Sequence, residues 1–276
     1  MKRSGWIILL AIAGLWVLSA CSPELRQYNT YTRKGSISEK DSAAFYFYKR
    51  GDYEKASILF EELQAAYRGS DRAKEIAYYY AQAKFKYGFY TVAAYYFEQY
   101  ARLYPADPRT PECVYMVAES YYRESAPHYL DQTFTKKAIN QFQLFMDTYP
   151  YVEQADEAQG RLYELRERLA KKDLEISRLY FNIGNYKAAV TSFKVTLEKF
   201  PDSRYREEAE LFLFKSAVAL AEQSTARRKK NRYLDAIDYY NRFIDRYPQS
   251  TYLKEAENLY IKAKRSLGKL NAANAG

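Results

Sequence analysis

The chain of 276 residues is 48% hydrophobic and 17% aromatic, with 31 tyrosines against 10 glycines and 8 prolines, and carries a formal net charge of +9. That balance excludes a disordered tail, a collagen-like fibre and a linker; two cysteines exclude a disulfide scaffold, and one histidine leaves little for a histidine-based metal site. The cation excess speaks for an acidic partner or surface, and few Gly and Pro among many Ala, Leu, Glu, Lys and Arg predict a mostly helical chain with a sizeable core.

The first residues read as an address. Lys2 and Arg3 precede the apolar run Trp6 to Val17. A run of about a dozen residues is too short to span a bilayer comfortably and suits a signal peptide. It ends in Leu18-Ser19-Ala20-Cys21, which resembles a bacterial lipobox: small side chains fit the peptidase, and the Cys21 thiol takes diacylglycerol through a thioether. The expectation is a signal peptide over 1–20 and a covalent lipid on Cys21, whose acyl chains, at about 0.8 kcal/mol per buried methylene, hold the chain on a membrane. No later stretch is long and apolar enough to span. Ser22 follows the cysteine, with neither the Asp of inner-membrane retention nor an acidic export run. An outer-membrane anchor facing the periplasm is therefore expected. Residues 21–37, polar and carrying Pro23 and Gly35, read as a tether.

The rest repeats itself. An Ala with an aromatic four residues on recurs as Ala56/Phe60, Ala93/Phe97, Ala138/Phe142, Ala189/Phe193 and Ala236/Tyr240. Eight residues after four of those aromatics stand Pro105, Pro150, Pro201 and Pro248, with Arg68 at that place in the first copy. Tyr67, Tyr104, Tyr149, Phe200 and Tyr247 precede these positions. Upstream lie Gly51/Tyr53, Gly88/Tyr90 and Gly184/Tyr186, with Asn231/Tyr233 in the fifth copy. Gly or Asn suits the left-handed turn that ends a first helix, Ala lets the second helix approach it, the aromatic fills the gap, and Pro stops the second helix. This is the pattern of the tetratricopeptide repeat. It predicts an all-α superhelix of five hairpins, about 38–68, 72–105, 110–150, 152–201 and 204–248, closed by a capping helix over 252–267 and a tail over 269–276. The copies are spaced more widely than the ideal of about 34 residues. The surplus is expected as Ser125 to Thr135, as a long helix from Glu153 to Tyr180 and as a loop from Ser224 to Asn231.

Lipobox, repeat number, loose spacing and the stretch Leu165-Arg-Glu-Arg-Leu-Ala-Lys171, running through Tyr180, Gly184 and Tyr186 to Ala188-Ala189, together resemble the BamD family. These are the lipoprotein subunits of the outer-membrane β-barrel assembly machinery. The resemblance covers nearly all of the chain after Cys21. It implies a non-enzymatic subunit that binds the periplasmic domains of the barrel-forming subunit and unfolded outer-membrane proteins, alongside other lipoproteins of the complex.

Two surfaces are candidates for that work. Aligning the first helices on Ala44, Ala81 and Ala118 brings Tyr48, Phe85 and Tyr122 to one position and Lys49, Lys86 and Arg123 to the next. One turn earlier stand Phe45, Gln82 and Glu119, and a turn before those Asp41, Tyr78 and Tyr115. An aromatic–cation ladder suits an extended peptide with aromatic side chains and a free carboxylate. Outer-membrane proteins commonly end in an aromatic residue bearing the terminal carboxylate, so the ladder fits the role the resemblance implies. The competing reading is that the rings pack between repeats and the cations are merely solvated. The second surface comprises Arg227, Arg228, Lys229, Lys230 and Arg232, expected in a solvated loop, with Arg166, Arg168, Lys171 and Lys172 of the fourth repeat. It would meet the barrel subunit's periplasmic domain, an acidic partner or anionic headgroups. Nucleic acid is not expected for a secreted chain.

Catalytic patterns are not found in the sequence. His128 stands alone in a Pro-containing loop, Cys113 reads as a small packing group, and no Gly-rich phosphate loop occurs. No metal or cofactor is expected apart from the lipid on Cys21. Two other classes compete: a periplasmic repeat scaffold coordinating cell-wall synthesis or envelope constriction, and a nutrient-uptake lipoprotein. The first usually carries an N-terminal coiled coil, and no heptads occur between Cys21 and Ser38. The second is usually about twice this length.

Overall fold

A computed structural model describes residues 23–273, so the lipobox and Cys21 lie outside the described residues. Among those described, every regular element is an α-helix. In chain order these are α1 (Pro23–Lys34), α2 (Ile37–Lys49), α3 (Tyr53–Ala66), α4 (Ala73–Tyr87), α5 (Tyr90–Leu103) and α6 (Thr110–Glu124). They continue as α7 (Thr133–Thr148), α8 (Gln154–Asn182), α9 (Tyr186–Lys199), α10 (Arg206–Glu222), α11 (Ala226–Arg246) and α12 (Leu253–Ala273). The described chain forms two compact units. One holds residues up to 124 with 144–155; the other holds 125–143 with 156 onward.

Each hairpin follows from its signature. Ala56, Ala93, Ala138, Ala189 and Ala236 are fully buried, as are Phe60, Phe97, Phe142 and Phe193, with Tyr240 nearly so. Only a methyl leaves room for close helix contact, and the ring one turn on closes the space beside it. Gly88 ends α4 at φ +96 and Gly184 follows α8 at φ +77, a left-handed backbone that a side chain would strain. Every second helix finishes alike. Tyr67, Tyr104, Tyr149, Phe200 and Tyr247 each donate a backbone N–H to the carbonyl four residues back, closing the last turn. Where a proline follows, it forbids another.

The linkers between hairpins repeat as well. Ser70, Asp107, Ser203 and Ser250 each donate a backbone N–H to the aromatic cap three residues before, and their own carbonyls accept the N–H three residues later. Asp107, Ser203 and Ser250 also accept, through side-chain oxygens, from the N–H two residues on. Local side-chain bonds of this kind fix a turn without tertiary help.

In the first unit, α2 to α4 enclose Phe47, Leu59, Phe60, Leu63, Ile76 and Tyr80, while α4 to α6 enclose Ala93, Phe97, Tyr100, Cys113 and Val117. In the second, α8 to α10 share Leu174, Phe193 and Leu213, and α10 to α12 share Phe214, Tyr233, Phe243 and Leu267.

Three expectations need correction. Within the residues read as a tether, 23–34 form α1, with Tyr28 set edge-on against Phe47 at 5.6 Å between ring centroids. Pro23 opens that helix rather than breaking it, because the first position needs no N–H. Gly35 makes the turn, and Ser36 and Glu39 cap α2 reciprocally. The basic segment from 227 to 232 is not a loop but the first two turns of α11. Arg and Lys are good helix formers, and Thr225, in extended backbone, offers its carbonyl to the N–H groups of Arg228 and Lys229. Asn231 therefore sits inside a helix rather than at a turn. Finally, the capping helix runs on to Ala273, since Leu267 and Leu270 still meet apolar neighbours.

Candidate binding surfaces

In the first unit the ladder lies at the C-terminal ends of α2, α4 and α6. Cations there are favoured by the helix dipole whatever else they do. Lys86 Nζ stands 5.9 Å from the Tyr48 ring centroid and 5.5 Å from that of Tyr53, joining two successive hairpins through ring faces. Tyr48 is half-buried, edge-on to Tyr53 and Tyr79, and Phe85 is edge-on to Tyr90. Lys49 is exposed; Arg123 Nε donates to Glu119 Oε1 at 2.7 Å, and Tyr122 is half-buried beside it in sequence. The structure thus brings Tyr48 and Lys86 into contact, with Lys49, Phe85, Tyr122 and Arg123 at matching places on their helices.

The earlier column is committed to the interior. Tyr115 is 6% exposed and packs on Phe145 at 5.4 Å, so its assignment to the groove is corrected: the ring is core. Tyr78 donates its hydroxyl to Glu112 Oε1 at 2.7 Å, and Gln82 Nε2 donates to the same carboxylate oxygen at 3.0 Å. Burial first, then that carboxylate, pushes the Tyr78 phenol far above its ordinary range, so it remains a neutral donor.

Sequence reading missed the arginines that organise this column. Arg72 donates to Asp41 from Nε at 3.1 Å and from Nη2 at 2.9 Å, and its guanidinium lies 5.0 Å from the Phe45 ring centroid. Arg109 occupies the equivalent place one hairpin later, 5.1 Å from the ring centroid of Tyr78, which aligns with Asp41. Asp107 accepts from Arg109 Nε and from its backbone N–H, both at 3.0 Å. Those bonds hold the Asp107 carboxyl well below the usual carboxylate range. The signal was available: Ser70-x-Arg72 and Asp107-x-Arg109 stand at one offset after Tyr67 and Tyr104.

In the second unit the predicted cations separate into different tasks. Arg168 Nη1 donates to the Ser125 carbonyl at 3.0 Å and to its Oγ at 2.6 Å, and Lys172 Nζ donates to the Leu130 carbonyl at 2.7 Å. Both therefore clamp the inserted segment between α6 and α7 onto α8. Gln132, buried, gathers the Pro127 and Leu130 carbonyls from inside that segment, and His128 Nε2 lies 3.0 Å from Glu175 Oε1. Lys171 and Arg168 line a cleft of about 380 Å³ with His128, Glu164 and Arg204. Arg166 is exposed, as are Arg227, Arg228 and Lys230, while Lys229 is half-buried and Arg232 donates to Ser224 Oγ at 2.5 Å. Among the described residues no cluster of three or more His, Cys, Asp or Glu is placed to hold a metal ion, and no helix is long and apolar enough to cross a membrane.

Residues 39–232, more than two-thirds of the sequence, match the model of the YfiO family, described as an outer membrane lipoprotein. The chain belongs to that family. The match runs from the start of α2 to the basic turns of α11 and so includes both arms of the ladder and the clamp on α8. A curated relative, the outer membrane protein assembly factor BamD of Caulobacter vibrioides, is 25% identical over 108 residues, which are 39% of this chain and 35% of the relative. The aligned part thus spans about a third of that relative's length. Among solved structures, the TPR2AB domain of yeast Sti1 in its pHSP90 complex is 15% identical, covering 83% of this chain and 98% of that one at a TM-score of 0.39. BtubC from P. vanneervenii is 14% identical, covering 93% and 94%, at 0.30. Likenesses of that size carry no argument about what this YfiO-family chain binds.

Proposed function

We propose that the chain is a non-enzymatic subunit of the outer-membrane β-barrel assembly machinery, anchored by lipid on Cys21 and facing the periplasm. The observation that carries this reading is the family match over residues 39–232. The assembly-factor name of the Caulobacter relative and the lipobox at Leu18-Ser19-Ala20-Cys21 support it. The partners are then the periplasmic domains of the barrel-forming subunit, unfolded outer-membrane proteins and other lipoproteins of the complex.

The unfolded client binds at the first-helix ends of the first unit. Tyr48, Phe85 and Tyr122 supply ring faces and edges at low entropic cost, and Lys49, Lys86 and Arg123 attract a terminal carboxylate. Tyr78 holds the column behind them through Glu112 rather than touching the client. The barrel subunit docks on the second unit, where Arg166 and Lys171 stand on α8 beside Arg168 and Lys172, the two cations that clamp the inserted segment.

The test is peptide binding. A fluorescent peptide ending in an aromatic residue with a free carboxylate is expected to bind the chain, and Lys49→Glu, Lys86→Glu and Arg123→Glu together are expected to weaken it at least tenfold while circular dichroism shows the array still folded. Amidating the peptide terminus should give a comparable loss. Equal affinity for the triple variant would remove the ladder from the function.

A further inference from the structure

The second unit ends in a charge asymmetry that the proposed docking role does not use. Lys215 Nζ lies 2.5 Å from Glu255 Oε1 and Lys262 Nζ lies 2.8 Å from Glu222 Oε1. The two pairs have the same sequence offset, so α12 runs parallel to α10. Arg246 pairs with Glu210, which sets α11 antiparallel to α10 and puts Tyr233 level with the end of α10. The first two turns of α11 therefore project about 10 Å past Glu222, at 1.5 Å per residue. The last turns of α12 accompany them, and Tyr233, Ala263 and Leu267 share one core with Leu270 against it.

That projecting end is basic throughout. Arg227, Arg228 and Lys230 on α11 are exposed, and so are Arg265 and Lys269 on α12. Residues 223–234 contain no Asp or Glu, and neither do residues 258–273. Glu222, at the level where the projection begins, is already paired with Lys262, and Asp235 follows the projecting turns on α11. The α11 cations also sit at the positive end of their own helix dipole, which disfavours them. The arrangement lowers the stability of the isolated hairpin and becomes favourable beside an extended negative surface.

The chemistry of the patch separates a membrane from a protein. Protein interface centres are depleted in Lys and organised around aromatic anchors in pockets, with Arg set among them. Here the large exposed apolar side chains are Leu234 and Ile261, both aliphatic and flanking the cations. A fan of Lys and Arg with short aliphatic flanks matches phosphate headgroups, which need charge rather than a shaped site.

We propose that the projecting ends of α11 and α12 form a contact for anionic phospholipid, laying the second unit against the bilayer that carries the chain. This rests on the lipid-anchored location proposed above, but the two readings fail separately. Mass spectrometry of Cys21 tests the anchor, whereas vesicle binding tests the patch without it.

The experiment uses the chain from Ser22 onward, made without acylation. It is sedimented with vesicles of phosphatidylcholine alone or mixed equally with phosphatidylglycerol. Pelleting is expected only with the anionic vesicles and should fade as salt rises. At about fivefold per cation lost near an anionic surface, Arg227→Glu, Arg228→Glu and Lys230→Glu together should weaken it by at least about 100-fold, since each exchange also adds an anion. Arg265→Glu with Lys269→Glu should weaken it through the neighbouring helix, and the triple Gln variant keeps the test open if Glu perturbs folding. No pelleting with anionic vesicles, pelleting equally strong with neutral ones, or unchanged pelleting of the folded variants would overturn the proposal. So would capture of an acidic envelope protein through these residues with no vesicle binding.

Discussion

Asp107 and Arg109 illustrate how one linker residue supports a surface several turns away. The carboxylate, 5% exposed at its side chain, accepts from Arg109 and lies 3.4 Å from Lys74 Nζ, while the Arg109 guanidinium faces Tyr78 and Tyr100. Removing the charge with Asp107→Asn is expected to cost about 1.5–3 kcal/mol, the range for hydrogen bonds to charged groups. The sign with pH is fixed by the direction of the shift. A carboxyl held below its ordinary range contributes fully above a pH of about 4, and its contribution disappears as pH falls further. The melting temperature of the parent chain should therefore drop more steeply below that pH than that of Asp107→Asn. Parallel acid limbs would show that the Arg109 pairing contributes nothing. Cys113 shows the opposite treatment. Fully buried, its thiol is pushed far up by burial and packs as a small apolar group, the role read for it in the sequence.

At the scale of helices, the hairpin is the unit on which stability is built. Phe97 is fully buried between α4 and α5, beside Phe85 at 6.5 Å between ring centroids. Phe97→Ala is expected to cost about 3–5 kcal/mol. Because repeat arrays rest on neighbour contacts, faster hydrogen exchange should concentrate in α4 to α6 and leave α10 to α12 protected. Uniform acceleration across both units would mean that the array melts as one body. The Ala, aromatic and Pro marks made these hairpins legible from sequence because each mark has a local steric cause. The misread segments lack such a cause. Pro23 is compatible with both a tether and a first helical position, and only the contact of Tyr28 with Phe47 decides between them. Arg227 to Arg232 resembled a solvated loop by charge, while helix propensity and the Thr225 carbonyl favoured two more turns of α11. The ladder was legible as spacing but not as depth: Tyr48 and Tyr115 look alike in sequence, yet one is half-buried and the other is core. The clamp formed by Arg168 and Lys172 on the inserted segment has no sequence signature, since its acceptors are backbone carbonyls some forty residues earlier.

Taken as a molecule, the chain combines a lipobox-like sequence, two units of stacked hairpins and a cation excess that is spread unevenly. Asp and Glu enter mostly as partners inside the hairpins, as Glu210 does for Arg206 and Arg246, while unpaired positive charge collects at the ends of α11 and α12. The chain belongs to a family of outer membrane lipoproteins, and the proposed function makes these surfaces its binding sites. The direct test is affinity purification of the tagged, full-length chain from detergent-solubilised envelopes, with partners identified by mass spectrometry. Co-purification of a large β-barrel protein bearing periplasmic domains is the predicted result. Recovery of cell-wall synthases in its place, with no such barrel, would contradict the account.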